Sequence, residues 1–309
     1  MSGPWTNQEI EFLKNNRTLY TVKEIANILG RGVPSVYVRL SKLKVLKNQR
    51  WTSDEESFLL ENYLVMTDKQ ISNKLTGRTP TDVNHKIKYL GLVGTRPDGR
   101  ITYSYDYKFF AIPTALNSQV AGFIASDGCI QKNKVVNIHI HERDRDYLEK
   151  IVGLTKFTGP IHKTGSHMLR LDFCGGFWVS DLKQNFLITP VKSLTLKPPT
   201  HLNVECQRAF ILGLLDGDGC ISIQKGGSKK LLRASWAGTE QTMSFIKVFM
   251  DTHMPPNNHY IANLVKLGNI FTYTVNGDRA VRILRYLYNS ECLRLTRKYE
   301  IFRRFVTDV

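Results

Sequence analysis

Two apolar runs constrain this chain more than any other feature: VAGFIASDG over residues 120–128 and ILGLLDGDG over residues 211–219. They lie 91 residues apart, each closes on an acid between small residues, and each is followed by Cys-Ile. Runs this poor in polar side chains read as buried helices, and a buried helix does not ordinarily end on a carboxylate, because burial penalises an uncompensated charge. Small residues recur at i and i+4, Gly122 with Ser126 and Gly213 with Gly217. They clear one face of each helix, so that two backbones can approach closely and gain packing contacts. Helices paired in this way bring Asp127 and Asp218 together at one end. There the two acids meet the negative ends of the helix dipoles and repel one another. A divalent cation between them offsets both penalties.

The residues around each run repeat as well. In the first half, alternation in CIQKNKVVNIHIH predicts a strand pair, Arg143 to Gly153 a helix, GPIHKTGSHMLRLDF a second pair and Phe177 to Ile188 a closing helix. In the second half, CISIQKGGSKKLLRASW reads as a hairpin around Gly226-Gly227 and Glu240 to Thr252 as a helix. HYIANLVKLGNIFTYTV then reads as a hairpin around Gly268, and Arg279 to Tyr288 as a helix. The order is αββαββα, twice.

With two matched nonamers in that context, residues 107–309 resemble a single-chain, two-repeat LAGLIDADG homing endonuclease. The first copy departs from the motif at Ala125 and Ser126 but keeps its final acid. The fold expected from the resemblance is α+β, two pseudo-symmetric repeats over 107–200 and 201–309. The expected activity is metal-dependent double-strand cleavage of DNA by phosphodiester hydrolysis. Asp127 and Asp218 are the expected catalytic and metal-binding acids, with Ser126 and Gly217 beside them, and oxygen ligands favour Mg²⁺ or another hard ion such as Mn²⁺. TPVKSLTLKPP resembles the segment that carries a supporting lysine, which implies Lys192, with Lys197 second; ECLRLTRKYEIF implies Lys298, with Arg297 second.

The same resemblance implies that the strand pairs lie along the major groove, where base pairs are distinguishable. Alternation selects Gln131, Asn133, Asn137, His139, His141, Arg170 and Asp172 in the first half. Ser222, Gln224, Arg233, Ser235, Thr272 and Thr274 are selected in the second. Ile138, Ile140, Ile221, Ile223, Leu232, Ala234, Phe271 and Tyr273 then face the helices. His139 and His141 share a strand face and could form a metal pair, but no third ligand stands nearby in sequence, so a polar strand edge is the preferred reading.

The first hundred residues hold a second duplication. Trp5 aligns with Trp51, Thr21 with Thr67, Ile25 with Ile71 and Leu29 with Leu75 at an offset of 46. After one inserted residue, Arg31 aligns with Arg78, Val36 with Val83, Arg39 with Lys86 and Leu43 with Leu90. Each copy predicts three helices, the first opened by a Thr-x-x-Glu cap. The third turns Arg39 and Lys42, or Lys86 and Lys88, outward as a basic recognition helix. The copies, 1–47 and 48–93, resemble Myb/SANT-like helix-turn-helix modules, and residues 94–106, with Gly94, Pro97 and Gly99, read as a linker.

Charge agrees with a polyanionic partner. The formal net charge is +16, with 16 Lys and Arg against 10 acids in residues 1–100 and 27 against 17 in the remainder. Both parts are basic, so no single tail accounts for the excess. Double-stranded DNA is the expected partner, and a monomer is expected because both repeats lie in one chain. Five scattered cysteines, none spaced C-x-x-C, argue against a disulfide framework and a structural zinc site. With no leader-like start and no apolar stretch of membrane-spanning length, no membrane partner is expected and an intracellular, cytoplasmic protein is. An RNA maturase and a non-cleaving DNA-binding regulator are the alternatives; retention of both acids favours cleavage.

Overall fold

The computed structural model describes residues 3–16, 20, 22–43, 51–75, 77–92, 94–95, 99, 101–131, 135–174, 176–190, 192, 195–226, 229–256, 262–288 and 292–307. The chain forms two compact units, Met1–Ser104 and Tyr105–Val309.

The first unit contains two small helical cores. Helices α1 (Asn7–Asn16), α2 (Val22–Ile28) and α3 (Val33–Lys42) bury Leu13, Ile25, Val36 and Leu40. Helices α4 (Ser53–Asn62), α5 (Asp68–Lys74) and α6 (Pro80–Tyr89) bury Leu59, Ile71, Val83 and Ile87. Capping boxes start α4, α5 and α6 at Thr52, Thr67 and Thr79, each satisfying donors that the first helical turn leaves open. One device recurs in both cores. The capping glutamate also receives an arginine from the turn before the third helix, Arg31 to Glu9 at 2.7 Å and Arg78 to Glu55 at 2.6 Å. Each guanidinium lies over the tryptophan that opens its repeat, 4.4 Å from the Trp5 ring centre and 4.5 Å from that of Trp51. After α6, the short strands β1 (Gly94–Thr95) and β2 (Ile101–Thr102) pair across the stretch read as a linker.

The second unit repeats one architecture. Its first half runs α7 (Ala115–Asp127), β3 (Gly128–Ile130), β4 (Val135–His141), a 3-10 turn over Glu142–Asp144, α8 (Arg145–Thr155), β5 (His162–Thr164), β6 (Met168–Cys174) and α9 (Gly176–Phe186). The second half runs α10 (Val204–Asp216), β7 (Cys220–Gly226), β8 (Lys229–Gly238), α11 (Glu240–His253), β9 (Leu264–Leu267), β10 (Ile270–Asn276), α12 (Gly277–Leu287) and α13 (Thr296–Thr307). Two antiparallel sheets result, ordered β3-β4-β6-β5 and β7-β8-β10-β9, with the same topology. The sheets and helices share one core, in which Phe123, Ile138, Leu171, Trp178, Phe210, Ala234, Trp236 and Tyr273 are buried.

The two motif helices hold the halves together. A Cβ added to Gly122 would stand 2.1 Å from the Phe210 carbonyl oxygen, and one added to Gly213 would stand 2.1 Å from that of Gln119. Residues 119 and 210, like 122 and 213, are related by the offset of 91, so the contact is reciprocal. Only glycine allows such backbone contact, and both glycines sit in regular helix, so packing sets the requirement here.

The strand faces correct one expectation: Ile223, expected to face the helices, is 43% exposed. Phe271 is half-buried and packs against the core, as expected. Helix α13 was not foreseen as an element. Its side chains at 298, 302 and 305 nevertheless return to one face, with Lys298 and Phe302 buried and Phe305 packed against the core.

Candidate active site

Asp127 is the last residue of α7, and Asp218 follows the end of α10 by two residues. Asp127 is half-buried, whereas Asp218 is exposed. Burial, and then the negative charge of Asp218, push the Asp127 carboxyl up to about 6, with Lys298 and Lys192 partly opposing the shift. A Cβ on Gly217 would stand 1.8 Å from Ser126 Oγ and 3.3 Å from Asp127 Oδ2. The first acid therefore lies against the end of the partner helix, and the small residue at 217 makes room for it.

The lysines expected to support chemistry sit beneath the helix ends. Lys192 Nζ donates to the carbonyls of Ala125 at 2.8 Å and Ser126 at 2.9 Å. Lys298 Nζ donates to those of Leu215 at 2.7 Å, Asp216 at 2.8 Å and Gly217 at 2.7 Å. Both ammonium groups are buried and satisfy carbonyls that a helix C-terminus leaves open, countering the dipole that disfavours the acids. Burial lowers the pKa of each lysine. Lys197, by contrast, is exposed in a groove beside α11 with Phe245 and Val248.

The halves differ at the sixth motif position, which is Ala125 in the first copy and Asp216 in the second. Asp216 is buried, and Oδ2 accepts from Gln119 Nε2 at 3.0 Å and from the Tyr147 hydroxyl at 3.1 Å. Burial raises its pKa, while the nearby Lys298 charge opposes that rise. Gln119 also bridges to the backbone of Leu293, receiving its N–H and donating to its carbonyl, both at 2.9 Å. This network was not legible in the sequence beyond the presence of an acid within an apolar run.

Strand register assembles the polar sheet faces. In the first sheet Cys129, Asn137 and Asp172 form one row, and His139, Arg170 and His162 the next. In the second sheet Cys220, Ser235 and Thr274 form one row, and Ser222, Arg233 and Asn276 the next. Gln131 and Gln224 are exposed; His139, His141, Arg170, Ser222, Arg233, Ser235, Thr272 and Thr274 are half-buried on these faces. Asn276, one step beyond Thr272 and Thr274 in the alternation, joins them through its pairing with Arg233.

Four expected contact residues, Asn137, Asp172, Arg170 and Lys86, have protein partners. Asn137 is only 3% exposed and its amide donates to Asp172, which also pairs with Arg170 at 2.9 Å, because all three meet on one face across β4 and β6. Lys86 turns inward: it is buried, pairs with Glu56 and lies over the rings of Trp51 and Tyr89. Lys42 and Lys88 are exposed, and Arg39 is half-buried beside Trp5. Asn133 lies outside the described residues.

Among the described residues, no three side chains of His, Cys, Asp or Glu converge to hold a metal. His141 Nδ1 accepts the Arg143 N–H and its ring stacks on His167. The Ser126 and Gly217 carbonyls each already accept from a lysine. The donor set is therefore two carboxylates with a carbonyl beside each. That set fits Mg²⁺, which keeps several waters and takes one or two carboxylates together with phosphate oxygens.

No family model matches the chain, and no curated protein does. Structural comparison finds LAGLIDADG meganuclease I-AabMI bound to uncleaved DNA, with a TM-score of 0.43 and 15% identity over 62% of this chain and 91% of that one. I-SmaMI bound to uncleaved target in the presence of calcium aligns with a TM-score of 0.43 and 13% identity over 62% of this chain and 90% of that one. The LAGLIDADG homing endonuclease I-LtrWI bound to target DNA aligns with a TM-score of 0.42 and 11% identity over 65% and 90%.

Proposed function

We propose that this chain is a site-specific DNA endonuclease that cuts both strands of a duplex with a divalent cation, its N-terminal three-helix repeats adding affinity through helix-turn-helix contacts. The observation that carries the reading is the reciprocal glycine contact. It joins two like halves so that each contributes one acid at the same end of the helix pair. Duplex DNA has a local two-fold relation between its strands, and a pseudo-two-fold protein can present one acid to each.

The chain's own residues then have distinct tasks. Asp127 and Asp218 would hold Mg²⁺ or Mn²⁺, which when bound supplies water activation and charge neutralisation at the scissile phosphate. Lys192 and Lys298 hold the helix ends, and with them the acids, in place. The polar sheet faces, led by Gln131, His139, Arg170, Gln224, Arg233 and Asn276, offer donors and acceptors suited to base edges. The +16 charge provides the electrostatic attraction for phosphate that precedes any reading. The repeats act through linkage, which raises effective concentration without touching the chemistry. The lineage suited to this activity is a mobile genetic element.

The test substitutes Asp127→Asn and Asp218→Asn one at a time. Each is expected to abolish double-strand cleavage in Mg²⁺ while leaving duplex binding within a few-fold; wild-type cleavage by either variant overturns the assignment. Specific retention of DNA without breaks by the unaltered chain favours the regulator, and preferential capture of RNA over duplex favours the maturase.

A further inference from the structure

The two half-sites are built unequally. Beside Asp127 lies a cavity of about 200 Å³ whose lining includes His139, His141, Arg143, Asp144 and Arg297. Asp144 is almost fully buried, and its carboxylate meets Arg297 with both oxygens, from Nε at 3.3 Å and Nη2 at 3.2 Å, while Arg143 stands 3.8 Å away. Arg297 is thus fixed from behind by a buried acid and remains 40% exposed toward the cavity. Planar guanidinium groups held in this way suit phosphate oxygens.

The second half carries other residues where the first has His139, Asp144 and Arg297. By register against Cys129 and Cys220, His139 of β4 corresponds to Ala237 of β8. Asp144, at the N-cap of α8, corresponds to Thr239 at the N-cap of α11. Arg297 precedes Lys298, whereas Val191 precedes Lys192. Among the described residues, the join between the halves also differs from one side to the other. Arg297 and Thr296 reach Asp144 and Asp146 of the first half, and Lys150 reaches the Arg294 carbonyl at 3.0 Å. On the other side, among the described residues, the Thr239 and Thr242 hydroxyls reach the Leu196 carbonyl, at 3.5 and 3.4 Å.

We propose that Arg297, oriented by Asp144, binds a DNA backbone phosphate at the Asp127 half-site alone, so that the two strands are cut at unequal rates. The inference rests on the endonuclease reading for its rate consequence, but the phosphate contact is testable without cleavage. A duplex selected by retention on the full chain without divalent metal is the probe. Arg297→Ala is expected to make the slope of log affinity against log salt shallower by about 0.9, the effect of one lost phosphate contact. In Mg²⁺, with each strand end-labelled separately, the same variant is expected to slow one strand about tenfold and the other less than about twofold. Asp144→Asn, which keeps the arginine charge but loosens it, is expected to retain the salt slope and lose part of the strand bias. An unchanged slope overturns the phosphate contact. Equal slowing of both strands overturns the asymmetry. Absence of cleavage by the unaltered chain, with the slope change intact, overturns the endonuclease reading and the rate consequence while the contact stands.

Discussion

Replacing Gly213 with alanine tests the helix contact on which the paired acids depend. The new Cβ would lie 2.1 Å from the Gln119 carbonyl oxygen, 2.7 Å from the Phe123 nitrogen and 2.9 Å from the Gly122 Cα. All three are backbone atoms, so no side chain can rotate away. Carbon approaches a carbonyl oxygen to about 3.3 Å at closest in favourable contacts, so α7 and α10 must separate by roughly 1 Å. Overpacking ordinarily costs about 1–3 kcal/mol, and because two buried helices must part along their length, the upper end, about 3 kcal/mol, applies. For a domain of this size that predicts a fall in Tm of about 6–12 °C. Gly153 is the control: it is exposed in α8, its added Cβ meets nothing within 4 Å, and alanine there stabilises by up to about 1 kcal/mol. Calorimetry of both variants decides the matter. A Gly213→Ala transition within about 2 °C of wild type, less than 1 kcal/mol on the same scale, would refute the claim that backbone contact fixes the separation of the acids.

Further consequences concern the acids, the lysines and the N-terminal repeats. The Asp127 pKa is raised from 3.8 to about 6, so its stabilising contribution is fully present below about pH 4 and is lost as pH rises through 6. Asp127→Asn should therefore raise the metal-free Tm at pH 8 and do so less at pH 5, and a gain of equal size at both would contradict the raised pKa. Mg²⁺ should stabilise the wild type progressively more above pH 6 and the Asn variant little, as thermal shift would show. Lys298→Met removes an ammonium from three carbonyls beside buried Asp216 and should cost about 3–5 kcal/mol, more than Lys192→Met, which frees two; denaturant unfolding ranks them. Lys88→Ala should weaken duplex binding and make its salt slope shallower, whereas Lys86→Ala should mainly lower the melting temperature of its three-helix core, because Lys86 is buried with Glu56.

Much of this architecture can be read from spacing. The offset of 91 relates Gly122 to Gly213 and Asp127 to Asp218, and small residues one helical turn apart state which faces meet. Alternation locates the strands because a two-residue period survives wherever one sheet face is buried. What spacing does not convey is who stands opposite whom. Asn137 falls on the polar face by parity, yet register places it beside Asp172, and the pair bury one another. Lys86 lies at the edge of the face formed by Val83, Ile87 and Leu90 rather than opposite it, and its long side chain reaches Glu56 and Trp51, which spacing alone does not reveal. Lys192 and Lys298 are legible as lysines near the acids; their role as caps on the motif helices depends on three-dimensional closure over many residues. The unequal half-sites arise similarly, since Asp144 and Arg297 lie 153 residues apart and meet only when the repeats pair.

The most direct test of the central claim is to incubate the full chain with a randomised duplex library in Mg²⁺ and sequence the cut ends. The account predicts discrete, paired breaks with a short stagger at one sequence, absent in EDTA and absent with Asp218→Asn. Breaks that persist in the Asp218→Asn protein, or none from the unaltered chain on any duplex it retains, would contradict it.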